Sequence, residues 1–524
     1  MDNRKIRKTM QGAVILSAAA LIAKILSAFY RIPFQNIVGN AGFYVYQQVY
    51  PIYGIGMTFA LSGFPVYISK LIAEQDSDLH RIQLSRQIFV VLACFGALAF
   101  SCLQLLSGPL AALMGDTRLD VLIRSVSWMF LFMPFLAVPR GYHQGVFDMI
   151  PPALSQVVEQ FVRVAVIIAC AVMFSRCHWS LYRMGAGAML GSSFGALFAV
   201  LCLSPFYFRK FFRRSGDGFR VRYGTLFRRL FTEGLVLCLF ASMMVLLQLV
   251  DSFTVMKALR ASGLSLHQAQ NVKGAYDRAQ PLVQLGMALA TGFSASLLPA
   301  LSRELAEGDH DGFRQTTRVI LRISTTVAMA ASCGMIAIMP ELNTMLFGDA
   351  FLSPTISVYV AGIVLITLIG TYNSILQSMN CIARTVTSLV FGILAKACTN
   401  SLLVRHFGIT GASVSTLLAL LLSLVLIARS APDSVGGMSE GKFSGKLLFV
   451  SLTMTAAVRC LMAVIEKCSA GTRLGACLAA MAGIVVGGFV FVSGAVMLGL
   501  LEREEWLAFP AGSRICSVIE KIRK

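Results

Sequence analysis

Runs of about twenty or more mostly apolar residues, each closed by a short polar stretch, repeat along the chain. Fourteen fall at approximately 12–37, 42–69, 87–107, 120–139, 153–174, 184–208, 230–256, 275–301, 317–340, 354–379, 386–404, 409–428, 447–466 and 474–500. An α-helix rises about 1.5 Å per residue, so about 20 residues cross a hydrocarbon layer of about 30 Å. Lipid offers no partners to backbone N–H and C=O groups, which makes the helix the form such a run adopts. The pattern predicts an all-α polytopic membrane protein of about 14 transmembrane helices. The first run follows Arg4, Lys5, Arg7 and Lys8, as in a signal peptide, but continues past Lys24 to Phe29 without a clear cleavage site. It reads as the first span, and no soluble domain is expected on either side of the membrane region.

A weak internal repeat orders these spans. "SKLIAE" (69–74) closes span 2 and "SRELAE" (302–307) closes span 8, an offset of 233 that Gln144 and Gln377, and Ser155 and Ser388, share. Six helices separate the copies, so the two halves point the same way. The predicted organisation is a six-helix bundle over 1–208, a basic linker over 209–229 and a second, parallel six-helix bundle over 230–428. A loop over 429–446, two extra transmembrane helices over 447–500 and a tail over 501–524 follow. Transporters built from such repeats bind substrate where the halves meet.

Of the 524 residues, 13% are charged, against about 25% in a soluble protein. The formal net charge is +20, yet the basic residues are scattered between spans and no domain offers a nucleic-acid-binding face. With a cytoplasmic N-terminus, inside segments hold 27 of the 45 Lys and Arg, outside segments 9 and the spans 9. That threefold excess predicts both termini in the cytoplasm. The linker "RKFFRRSGDGFRVRYGTLFRR" (209–229) carries eight of these cations. It reads as a topology anchor on anionic lipid, with capture of a phosphorylated substrate as the sharper alternative.

Several catalytic motifs fail on context. "GSSFG" (191–195) lies inside span 6 with no strand before it, and "GGMSEGKF" (436–443) has Phe443 where a phosphate loop needs Ser or Thr. Thirteen Cys form no CxxC pair and six His lack zinc spacing, so neither a metal nor a disulfide framework is expected. No acidic catalytic cluster faces outside, which argues against a membrane glycosyltransferase. The reading is a transporter and not an enzyme.

The charges inside the spans carry the functional argument, because each costs roughly 2.5–3.5 kcal/mol at mid-bilayer unless it has a partner, water or a role. Lys24 and Arg31 in span 1 are seven residues apart, two turns along one face, where two cations repel unless an anion or water lies between them. Glu159 and Arg163 in span 5 stand at i,i+4 and read as a clamp within the helix or onto a neighbour. Asp251 in span 7 and Lys396 in span 11, with Asn400 one turn on, are opposite charges that offset each other's burial if they face. Asp277 and Arg278 open span 8. Arg124 and Arg322 lie near span ends and can snorkel, whereas Arg459 has no evident partner.

"AKILSAFYRIPFQNIVG" (23–39), "YQQVYPIYG" (46–54), "RGYHQGVFDMIPPALSQVVEQFVRV" (140–164) and "YDRAQPLVQLG" (276–286) resemble the polysaccharide-biosynthesis flippases of the MOP superfamily. The likeness is greatest to the MurJ/YtgP-type lipid II flippases and the related stage V sporulation protein B, and runs through essentially all fourteen spans. It implies a V-shaped, MATE-like pair of bundles around a cationic cavity, working by alternating access. On it, Lys24, Arg31 and Arg278 match the family's cavity cations, and Asp277 the acid beside that arginine. Two departures stand out: no basic residue lies near Ile55 in span 2, and the Glu that follows the Asp-Arg motif in Gram-negative relatives is replaced around Pro281.

The expectation is a monomeric flippase in the bacterial cytoplasmic membrane. Its partners would be membrane lipids and an undecaprenyl-pyrophosphate-linked oligosaccharide, lipid II foremost, without a cofactor. The bidentate fork of Arg278 would hold pyrophosphate, with a helix-start ion pair to Asp277 as the alternative. Some relatives bind a cation with acidic and amide ligands between the helices of Asp251 and Asn400. Here the Lys396 ammonium could replace sodium, and protonation of Asp251 could couple transport to the membrane potential or to H+ or Na+; a permanent clamp is the other reading. The rival functions are an organic-cation antiporter, which would favour acidic cavity walls, and a non-transporting scaffold for envelope or spore assembly, which needs no aligned intramembrane cations.

Overall fold

The computed structural model describes residues 3–212, 221–288, 301, 304–305, 307–379, 381–432, 435, 441–468 and 472–507. Every regular element among them is helical. Their contacts define two units, one of Met1–Asp277 with Asn400–Arg405, the other of Arg278–Thr399 with His406–Lys524.

In the first unit, α1 (Asn3–Phe29) runs into α2 (Arg31–Thr58), and a π turn leads to α3 (Phe64–Ala73). Gly39 interrupts α2 with φ +70°, a left-handed value that only glycine adopts at little cost. Then come α4 (Asp78–Leu105), α5 (Ser107–Leu113), α6 (Asp120–Gly145), α7 (Ile150–Cys177) and α8 (Leu181–Cys202). The unit closes with α9 (Tyr223–Ala241), α10 (Met243–Ala261) and α11 (Leu266–Asp277). Helix α7 packs along α8 and α1, α6 along α3, α4 and α8, and α11 along α2. At the last crossing a Cβ on Gly274 would stand 2.0 Å from the Asn40 carbonyl oxygen, so the two backbones touch only because the residue is glycine.

In the second unit, residues 279–288 are helical. They precede α12 (His310–Ala337), α13 (Met339–Phe347), α14 (Ser353–Ser378), α15 (Ile382–Phe407) and α16 (Thr410–Ser430). Asp309 caps α12 by accepting from the Gly312 N–H at 2.9 Å. The unit ends with α17 (Gly441–Cys468), α18 (Arg473–Met497) and the short α19 (Arg503–Leu507). The outward faces of α17 and α18 are apolar, with Phe449 and Phe489 largely exposed, as lipid-facing helices require.

Eleven helical runs are long and apolar enough to cross a membrane, or up to twelve if one bent pair makes a span. The fourteen separate spans of the sequence pattern are thus not reproduced among the described residues. Spans 1 and 2 merge into one run, Ala18–Ala73, with the break at Gly39 where the loop was expected. Span 7 is bent by 73° between α9 and α10. There the Ser242 hydroxyl bonds back to the Cys238 carbonyl, an i−4 bond that bends helices. Span 8 extends into 289–300, outside the described residues.

Segments assigned to a common face meet. Arg86 Nε donates to the Phe211 carbonyl at 2.7 Å, and the Gln87 amide bonds both backbone groups of Val221 at 2.8 and 3.1 Å. On the opposite end, Gln270 reaches Asp116 at 3.0 Å.

Candidate functional site

The charged residues inside the first unit gather around aromatic rings. Arg31, the first residue of α2, is fully buried, with its guanidinium carbon 4.5 Å from the Tyr50 ring centroid and 6.0 Å from that of Tyr30. Among the described residues none of its three side-chain nitrogens has a hydrogen-bond acceptor. Ring faces supply the compensation. Arg163 of α7 lies 4.6 Å from the Tyr53 centroid and 5.3 Å from that of Tyr30. Its Nη2 donates to Gln160 Oε1 at 2.6 Å and to Ser27 Oγ at 3.3 Å, while Nε and Nη1 have no acceptor among the described residues. A cavity of about 460 Å³ opens beside this cluster, lined by Ser27, Tyr50, Tyr53, Gln156, Gln160 and Arg163 among others. An anion entering there would gain charge-assisted hydrogen bonds without first breaking an ion pair. Lys24 belongs to α1, and its side chain lies outside the described residues.

The i,i+4 spacing of Glu159 and Arg163 gives them no mutual bond. Glu159 Oε2 instead accepts from Arg140 Nη2 at 2.7 Å, and both side chains are essentially inaccessible. Arg140 also donates to Ser155 Oγ at 3.0 Å and to the Ala60 carbonyl at 3.2 Å, tying α6, α7 and the π turn together. The sequence reading placed Arg140 in a cytoplasmic loop and so overlooked this partner. The clue was Glu159 itself, a buried acid that needs a cation from a neighbouring helix.

Asp277 and Arg278 part company. Asp277 ends α11 and accepts from Lys273 Nζ, one turn earlier, at 2.5 Å, both side chains being buried. Arg278 is a turn residue of the second unit and forks onto Asp349, Nη1 to Oδ1 at 2.7 Å and Nη2 to Oδ2 at 2.9 Å. Its Nη1 also donates to Asn343 Oδ1 at 3.3 Å, and its guanidinium carbon stands 5.2 Å from the Phe347 centroid. The fork expected to hold pyrophosphate therefore holds a carboxylate. The hydrogen bonds from Arg278 keep the Asp349 carboxyl below the usual carboxylate range, against the opposing effect of its partial burial. Lys273 and Asp349 were both missed by the sequence reading.

Asp251 is buried on α10, where Oδ1 accepts from Asn400 Nδ2 at 2.9 Å and Oδ2 from Tyr276 Oη at 3.4 Å. The same Asn400 amide donates to Thr254 Oγ1 at 2.7 Å. Lys396 is fully buried one turn before Asn400. The other embedded arginines have partners. Arg124 donates to Ser107 Oγ at 2.9 Å, Arg459 to the Ile336 carbonyl at 3.0 Å, and Arg322 to Glu502 at 2.9 Å. Among the described residues no group of three or more His, Cys, Asp or Glu could hold a metal ion.

Fold and site define a multi-pass helical membrane protein whose first unit holds a cavity lined by apolar side chains, three glutamines, two tyrosines and Arg163 among others. A family model described as polysaccharide biosynthesis protein matches residues 9–305. The chain is 34% identical to the uncharacterized membrane protein YabM of Bacillus subtilis (strain 168), over 98% of this chain and 96% of that one. It is 26% identical to the lipid II flippase MurJ of the same organism, over 95% and 96%. Among solved structures, a lipid II flippase MurJ in an inward closed conformation superposes with a TM-score of 0.69 at 11% identity, covering 92% of this chain and 98% of the other. That likeness shows the fold. The chain belongs to the polysaccharide biosynthesis protein family, as its sequence motifs implied.

Proposed function

We propose that the protein is a flippase that carries an undecaprenyl-pyrophosphate-linked sugar, lipid II, across the cytoplasmic membrane by alternating access. The observation that carries this reading is Arg31, a fully buried guanidinium with no acceptor among the described residues, packed on Tyr50, which lines the cavity. Its planar fork suits a diphosphate, and Arg163 offers two further donors. Gln156 and Gln160, each both donor and acceptor, suit sugar hydroxyls. The lipid tail stays in the bilayer. Among the described residues the cavity lining contains an arginine and no acid, which disfavours export of organic cations. Similarity to a protein named lipid II flippase supports the choice of substrate.

In this reading Lys24 and Arg31 both act on the substrate's diphosphate, both termini lie in the cytoplasm and the protein alternates between access states. Arg278 takes the diphosphate in exchange for Asp349. Asp251, bonded to Asn400 and Tyr276, couples transport to the membrane potential or an ion gradient. The test is depletion of the protein in its host, followed by identification of the lipid-linked precursor that accumulates on the cytoplasmic face. Accumulated lipid II is the expected result; unchanged lipid II with accumulation of another lipid-linked sugar would overturn the substrate.

A further inference from the structure

A second cavity, of about 530 Å³, lies in the first unit at the end where Gln270 meets Asp116. Arg118 enters from the turn after α5, and Lys257 and Arg260 from the end of α10. These are three of the nine Lys and Arg on segments that the charge distribution puts outside. The bias against external cations makes such a gathering in one cavity unexpected. The one acid in the lining, Asp116, is buried and already accepts from Tyr182 Oη at 2.6 Å, Gln270 Nε2 at 3.0 Å and the Arg118 N–H at 3.2 Å. Arg118 Nε stays 3.9 Å from Asp116, and the guanidinium is set on the Tyr182 ring at 4.5 Å. Among the described residues neither Lys257 nor Arg260 has an ion-pair partner. The helix dipole favours a cation at the end of α10 but gives no reason for Arg118 to face it from another segment.

We propose that this cavity binds a phosphate or diphosphate group and receives the substrate's diphosphate on the face where it emerges. The ligand class rests on these residues; the receiving role rests on the flippase reading. The test uses the full chain in nanodiscs on an Arg31→Gln, Arg163→Gln background, which removes both cations of the first anion site. Inorganic pyrophosphate is titrated against this protein and against the same protein carrying Arg118→Gln and Arg260→Gln. The second should bind at least tenfold more weakly, whereas Arg118→Lys with Arg260→Lys should stay within about threefold and so control for folding. Equal affinity of the Gln variant and its parent overturns the site. Undecaprenyl pyrophosphate should displace the bound pyrophosphate and phosphatidylglycerol should not. Displacement by phosphatidylglycerol alone would assign the cavity to ordinary lipid phosphate and overturn the receiving role. These readouts are binding measurements, so a failed transport assay would leave them distinguishable.

Discussion

Arg31 and Arg278 are both buried, but only Arg278 already faces a carboxylate. Arg31→Ala and Lys24→Ala should therefore each fail to complement depletion while remaining inserted and folded. Normal growth of either variant would remove that residue from the pathway. Arg278→Lys keeps the charge but loses the fork, so both transport and the ordering of Asp349 should suffer. Asp349 has its carboxyl lowered by Arg278, so its contribution is present above the unfolded value of about 3.9 and lost as pH falls through the lower folded value. The group is half exposed, so solvent screening keeps that contribution small. The Phe351 amide, bonded to Asp349 Oδ1 at 2.9 Å, reports on it. Its exchange protection should hold at pH 5 to 7, and Asp349→Asn should lower it there; equal protection in variant and wild type would deny the link. Lys273 was legible in principle, since it stands one turn before Asp277. It was passed over because α11, "LHQAQNVKGAYD", is too polar for an apolar-run search to include.

Apolar run length revealed most helices, because it measures the burial that drives their insertion. It did not reveal breaks set by single residues, such as the hydroxyl of Ser242 that bends α9 against α10. Nor could it tell that Glu159 turns to α6 for its partner, since helix rotation is fixed by packing and not by i,i+4 spacing alone. Removing either Arg140 or Glu159 should cost about 3–5 kcal/mol, because it strands a buried charge. Arg140→Met with Glu159→Leu should cost clearly less than the sum of the single changes. Additive losses in thermal unfolding would mean that the pair is not one unit. At the α2–α11 crossing, Gly274→Ala forces backbones apart and should cost about 2 kcal/mol. Gly224→Ala, with open space around its Cβ, is the control and should leave the melting temperature unchanged.

At the scale of the molecule, the fold class and the family motifs were legible from apolar pattern and a few segments. The count of fourteen spans is not confirmed, because among the described residues spans 1 and 2 join through a break at Gly39, span 7 is bent and span 8 runs into 289–300. Coupling belongs to this scale, since Asp251 and Asn400 are 149 residues apart and meet only in the folded chain. Asp251→Asn should leave the protein folded yet make transport insensitive to an imposed potential or pH gradient; unchanged sensitivity would leave Asp251 a static clamp. The central claim is that the cationic cavity moves a diphosphate-linked lipid, and its most direct test is translocation of labelled lipid II in proteoliposomes of the purified protein. Wild type should move the headgroup across the bilayer while Arg31→Gln, equally well inserted, moves it no faster than protein-free vesicles. Equal rates for wild type and Arg31→Gln, or none above protein-free vesicles for wild type across imposed gradients, would contradict the account.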